Sequence, residues 1–194
     1  MISAREASLA FVGALRLARF DPKGTLFFNA TVTGFWNSFW IAAILAPLHI
    51  VVLALLWQVR ETDVSLAYFL SIGVLSSAIS WFAFLLAMFH FAKLSGRENR
   101  YLSFAIANNW TSLFIAALSI PVEIAELTHL LEGDVLAFAM AVSFLYRFAL
   151  PWFVARHALN LSGLAAIGVV MLDILITGAV AIVSYPMIFG TGTV

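Results

Sequence analysis

Cysteine is missing from the sequence altogether, and charge is scarce. Lys and Arg number 10, Asp and Glu 10, so that charged residues fill only 10% of 194 positions. Without thiols there are no disulfides, thiolate metal sites or cysteine nucleophiles. With 63% hydrophobic residues and so little charge, an ordinary soluble domain is excluded, since such domains are about one quarter charged. The common signatures of catalysis are missing too: no HExxH, no GxSxG and no phosphate-cradling glycine loop. The opening stretch MISAREASLAFVGALRLARF does not read as a cleaved signal. Glu6 interrupts it, the apolar run from Leu9 to Leu15 is short, and Arg16 and Arg19 stand where a cleavage region belongs.

What the chain has is long apolar runs. A helix needs about 20 mostly apolar residues to cross the hydrocarbon of a bilayer. Five segments meet that length: Phe35–Trp57, Val64–Phe91, Leu102–Pro121, Val135–Val154 and Leu161–Ile188. The expected fold is therefore all-α, a polytopic bundle of five transmembrane helices over residues 35–194. The preceding residues 1–34 read as an interfacial, amphipathic segment. Basic residues set the orientation. Arg5, Arg16, Arg19, Lys23, Lys93, Arg97, Arg100 and Arg156 fall on one side of the spans. Arg60 alone falls on the other, with Glu61, Asp63, Glu123, Glu126, Glu132 and Asp134. The positive-inside rule then places the N-terminus in the cytoplasm and the C-terminus outside.

Within residues 1–34, Arg5, Arg16 and Arg19 cluster on a helical wheel opposite Ala7, Phe11, Ala14, Leu17 and Ala18. Such a helix suits an anionic membrane surface, or the underside of its own bundle. The turn Asp21-Pro22-Lys23-Gly24 ends it. Phe28, Val32, Phe35 and Phe39, with Trp36 and Trp40 beside them, form an aromatic entry to the first span. In the second span Gly73 and Ser77, Ser76 and Ser80, then Ala83 and Ala87 lie four apart, a pattern that lets helices approach closely. In the third, Tyr101, Asn108, Ser112 and Ser119 make a polar stripe. Asn108 lies about 10 Å into that span, so it is expected to face protein or water rather than lipid.

Arg147 and Asp173 are the full charges deep within spans. Asn160 stands midway between them as the expected turn residue, which puts both on the order of 15 Å above the inner end of neighbouring helices. A lone charge at that depth is expensive, so the two are expected to pair. Ser143 shares the face of Arg147, and Thr177 and Ser184 that of Asp173. Pro151 cannot bond to the Arg147 carbonyl and adds a local kink. Two roles compete for the pair: a clamp that fixes helix register, or a relay along a polar path through Asn108 and Ser112. Glu123, Glu126 and His129 would share a face if helical, but one Glu-x-x-His copy without a second reads as an acidic rim, not a metal site.

The stretches RFDPKGTLFFNATVTGFWNSFW and SAISWFAFLLAMFHFAKLSGRENRYLSFAIANNW combine an aromatic entry with a basic inner loop before an Asn-Trp helix. In this the chain resembles the Yip-type family of small five-span membrane proteins, in particular its bacterial members. The resemblance covers about a third of the chain. It implies a multi-pass protein of a bacterial inner membrane and no enzyme, and it carries over no catalytic residue. The leading expectation is a non-enzymatic accessory or scaffold protein that acts through helix contacts with itself or a larger membrane complex. The alternative is a small transporter or channel built around Arg147 and Asp173. No cofactor, metal or nucleic-acid partner is expected; the lipid bilayer is.

Overall fold

The computed structural model describes residues 2–60 and 62–189. Met1, Glu61 and residues 190–194 lie outside the described residues. Among the described residues the chain is all-α, with seven α-helices, one 3₁₀ turn and no strand. Helix α1 covers Ala4–Ala18, followed by the 3₁₀ turn Pro22–Phe27 and the short α2, Val32–Ser38. The long helices are α3 Trp40–Val59, α4 Leu66–Leu94, α5 Glu98–Leu127, α6 Gly133–Ala158 and α7 Gly163–Phe189. Five helical segments are long and apolar enough to cross a membrane, the first formed by α2 and α3 together.

Several span limits shift, each for a local reason. The first expected span breaks at Phe39, so that a short helix enters before the spanning one begins. The third was expected to end at Pro121. Instead α5 runs through that proline to Leu127, because only one backbone hydrogen bond is lost there. At 30 residues, α5 measures about 45 Å, well beyond the hydrocarbon thickness of about 30 Å. The turns behave as their residues dictate. Gly96, Asn160 and His129 take the left-handed conformation, with φ of 67°, 52° and 53°. The turns at 95–97 and 159–162 define one end of the bundle, flanked by Lys93, Arg97, Arg100 and Arg156, and called the basic end below. The turns at 60–65 and 128–132 define the opposite, acidic end.

The helices α3, α4, α7, α6 and α5 touch in that cyclic order and α5 returns to α3, which closes a ring. Near the basic end α4 and α5 also meet directly. There the Tyr101 hydroxyl donates to the Leu85 carbonyl at 3.1 Å, and Phe84 lies edge-on to Phe104. These buried groups make a floor.

One polar knot sets the register of three elements. Asn109 and Ser38 are both 0% exposed. Trp81 Nε1 on α4 donates to Asn109 Oδ1 at 2.9 Å, and Asn109 Nδ2 donates to Ser38 Oγ at 2.8 Å. The Ser38 hydroxyl then donates to the Phe35 carbonyl at 2.6 Å. Each polar side-chain atom in this knot has a partner, as a water-poor interior demands.

The N-terminal segment packs on the bundle. Ala10, Gly13, Ala14 and Leu17 of α1 are buried against the core, a face rotated slightly from the one expected. Phe11 sits at its exposed edge, 5.7 Å from the ring of Phe114 on α5. The Tyr146 hydroxyl of α6 donates to the Ala18 carbonyl at 3.0 Å. Glu6 accepts from Asn29 at 3.1 Å and from Asn37 at 2.9 Å, which fastens α1 to the approach to the first span. Gly13 and Gly24 are where α1 and the 3₁₀ turn touch: a Cβ on Gly13 would lie 2.9 Å from the Gly24 carbonyl oxygen. Of the three expected surface cations, Arg5 and Arg19 are exposed. Arg16 is engaged instead with Asp21 at 3.4 Å and with the face of Phe27.

Replacing Asn109 with Leu orphans the Trp81 N–H and removes the donor to Ser38. The expected loss is about 1–2 kcal/mol, against less than about 0.5 kcal/mol for Asn108→Leu one position away. Thermal unfolding of both variants in mild detergent, followed by tryptophan fluorescence, checks this; equal losses would refute the knot's role.

Candidate functional site

The face of α5 next to the knot carries Asn108, Ser112, Ser119 and Glu123 in register, at steps that return to one side of a helix. These residues line a cavity of about 420 Å³ inside the ring. Its other walls bring His49 from α3, Ser77 from α4, Arg147 and Pro151 from α6, and Asp173 from α7. The floor is Phe84 and Phe104. All five long helices contribute.

Arg147 and Asp173 thus meet the same space, at the matching depth that their distance from the Asn160 turn requires. They are not an ion pair. Among the described residues the ion pairs within 4.0 Å are Arg16–Asp21 and His129–Glu132, and neither Arg147 nor Asp173 belongs to one. The expected clamp is therefore corrected: the two charges face one cavity without closing on each other. A third ionisable residue, Glu123, lines the same cavity, so two acids and one base share it.

His49 adds a titratable group whose tautomer follows from its partners. Ser77 Oγ lies 2.9 Å from His49 Nε2, and the Ser77 hydroxyl hydrogen already goes to the Gly73 carbonyl at 2.9 Å. Ser77 therefore accepts, His49 Nε2 donates, and Nδ1 is left as the other ring nitrogen. Pro151 also lines the cavity, and as a proline it has no N–H to offer the Arg147 carbonyl one turn back.

The remaining expected residues are placed elsewhere. Ser76 faces an apolar cleft between α4 and α7 together with Ser184. Ser80 is half-buried on α4 and lines neither space, and Ser143 is likewise off the cavity wall. Thr177, one turn beyond Asp173, is exposed and does not line the cavity. Thr177 therefore does not extend the polar wall begun by Asp173, whereas Glu123 on α5 belongs to it. Glu123, Glu126 and His129 do not share a face, because the helix ends at Leu127 and His129 swings into the left-handed region to approach Glu132 at 3.6 Å. Among the described residues no group of three His, Cys, Asp or Glu side chains is arranged to hold a metal.

Sequence reasoning missed Glu123 and His49. Glu123 was assigned to the outer rim because Pro121 read as the end of a span. The signal that would have found it is the 15-residue spacing from Asn108, about four turns of one helix face. Comparison with known proteins adds no further residue: no protein-family model, no curated protein and no solved structure matches the chain.

The cavity walls make a labelling prediction, which the lack of native cysteine renders clean. Ser112→Cys and Ala116→Cys place thiols on the cavity wall, and Phe144→Cys places one on the exposed apolar flank of α6. In membranes, a charged methanethiosulfonate is expected to modify the first two at least about tenfold faster, because reaction needs a hydrated thiolate. Equal rates would show that the cavity holds no water.

Proposed function

We propose that this chain is a small solute-binding and transporting protein of a bacterial inner membrane, its basic end in the cytoplasm, and that the solute occupies the cavity between α3 and α7. The observation that carries this reading is the convergence of Glu123, Arg147 and Asp173, from three helices, on one cavity without pairing off. A charge held in a low-dielectric region is costly unless paired, hydrated or in contact with a charged ligand. Three such charges around a space of this size fit a hydrated site for a small charged solute. Orientation follows the distribution of Lys and Arg.

The scaffold reading draws on small-residue faces, and part of one of them, Gly73 and Ser77, is used within the chain. Gly73 packs on Leu53, where a Cβ would come within 2.8 Å of a Leu53 methyl. Ser77 bonds to His49, and Ser76 meets α7 across the second cleft. The solute cavity gives the costly residues a shared role. No chemical step is assigned to the site, and the likeness to the Yip-type family bears on architecture alone.

Purified protein reconstituted in liposomes tests the reading by uptake of small charged solutes. Asp173→Asn, Glu123→Gln and Arg147→Ala are each expected to lower uptake at least about tenfold, the effect of losing about 1.4 kcal/mol at the site, with the helical fold kept. Flux that is unchanged in all three variants refutes the site.

A further inference from the structure

A second cavity, about 480 Å³, lies between α3 and α4 on the outer side of the ring. Its walls are apolar: Phe39, Ala42, Ala46, Val74, Ala78 and Phe82. Val74 and Phe82 are exposed on the flank that faces the hydrocarbon, so the cleft opens sideways to the bilayer. Five residues line both this cleft and the charged cavity, namely Leu45, His49, Ser77, Asn108 and Ser112. The two spaces meet there. Across that junction His49 bonds to Ser77 at 2.9 Å.

We infer that the charged cavity and the apolar cleft are the two halves of one site for a lipophilic amine, a protonated ammonium head carried on an apolar body. This rests on the solute cavity proposed above and names its ligand class. The head is set by charge. Two acidic side chains and one guanidinium line the cavity, so by formal charge a single ammonium balances the set. Asn108 and Ser112, which line the cavity, add neutral acceptors for its N–H groups. An anion would leave both carboxylates opposed to it. A zwitterionic head would satisfy Arg147 but keep the net negative charge. The apolar body is set by the cleft, where burial stabilises it by roughly 25 cal/mol per Å² removed from water. Aromatic walls at Phe39 and Phe82 suit an alkyl or aryl chain. Each cavity by itself has the size of an ordinary small-ligand pocket, within about 300–1,000 Å³. Entry is lateral, between α3 and α4, past the His49–Ser77 bridge.

The test is calorimetric titration of the full chain in nanodiscs, against protein-free nanodiscs. The probes are dodecylammonium, dodecanol with the same tail but no charge, ethylammonium with the same head but no tail, dodecanoate with the opposite charge, and added phosphatidylethanolamine. Dodecylammonium is expected to bind at least about tenfold more tightly than any of the others. Glu123→Gln combined with Asp173→Asn should remove that advantage over dodecanol. Ala46→Phe and Ala78→Phe fill the cleft from opposite walls, so either one should bring dodecylammonium down to the ethylammonium level and leave ethylammonium itself unchanged. Ethylammonium binding as tightly as dodecylammonium, with no effect of the cleft variants, overturns the bipartite site and leaves the polar cavity standing. Preference for dodecanoate or phosphatidylethanolamine overturns the ammonium assignment. If neither ammonium binds while Ser112→Cys still reacts with the charged thiol reagent, the hydrated cavity stands and its assignment to amines falls. Absence of both signals removes the solute cavity itself.

Discussion

Asn109 holds the molecule in register. Its carboxamide is fully buried where α4, α5 and the α2–α3 junction come together, and it spends its oxygen on Trp81 and its nitrogen on Ser38. Inside a bilayer the driving force for helix association is weak, because lipid tails are as apolar as the side chains they replace. Directional bonds then decide which turn of one helix faces which turn of another. With Asn109 consumed in this way, the adjacent Asn108 is turned by about 100° on the same helix and looks into the ring. The face that Asn108 begins continues through Ser112 and Ser119 to Glu123. Two neighbouring asparagines thus divide the work, one as structure and one as cavity wall.

The charged groups obey the opposite logic. Structural polar groups in the floor and the knot are saturated: Tyr101 on Leu85, Trp81 on Asn109, Ser38 on Phe35. Arg147, Asp173 and Glu123 are not hydrogen-bonded to one another, and each comes from a different helix. A clamp would have shown the reverse, a short bidentate contact with its remaining lone pairs satisfied. Proline reinforces the contrast. Pro151 sits one turn from Arg147 and withholds a backbone donor at the very wall where charges gather.

Much of this was readable in the chain because a bilayer imposes lengths. Five apolar runs became five spanning segments, and the left-handed turn at Asn160 was correctly placed between Arg147 and Asp173. Equal distance from a turn fixes depth, and depth alone brought those two residues to one level. What sequence could not fix was azimuth. Asp173 and Thr177 share a helix face within about 40°, yet the first reaches the cavity and the second is exposed. Continuity through proline was the other blind spot. Pro121 looked like a terminus, and treating it as one moved Glu123 from the cavity to the rim. The N-terminal helix was legible as amphipathic, but its choice of partner was not. Only the close approach of Gly13 and Gly24 and the bonds from Glu6 show that it packs on its own bundle.

The ring is not equally strong all round, and the weak place coincides with the apolar cleft. At the basic end α4 and α5 close the floor through the Tyr101 bond and the Phe84–Phe104 contact. Around α3 and α4 the ties are concentrated at two levels. Toward the acidic end, Trp57 Nε1 donates to the Val64 carbonyl at 3.0 Å and Leu53 packs into the space left by Gly73. Toward the basic end, Phe39 stacks on Phe82 with ring centres 5.4 Å apart. Between these levels the tie across the two helices is the His49–Ser77 hydrogen bond, a bond worth only about 1 kcal/mol. Separating the helices there breaks that contact and leaves the hairpin turn, the aromatic stack and the Asn109 knot intact.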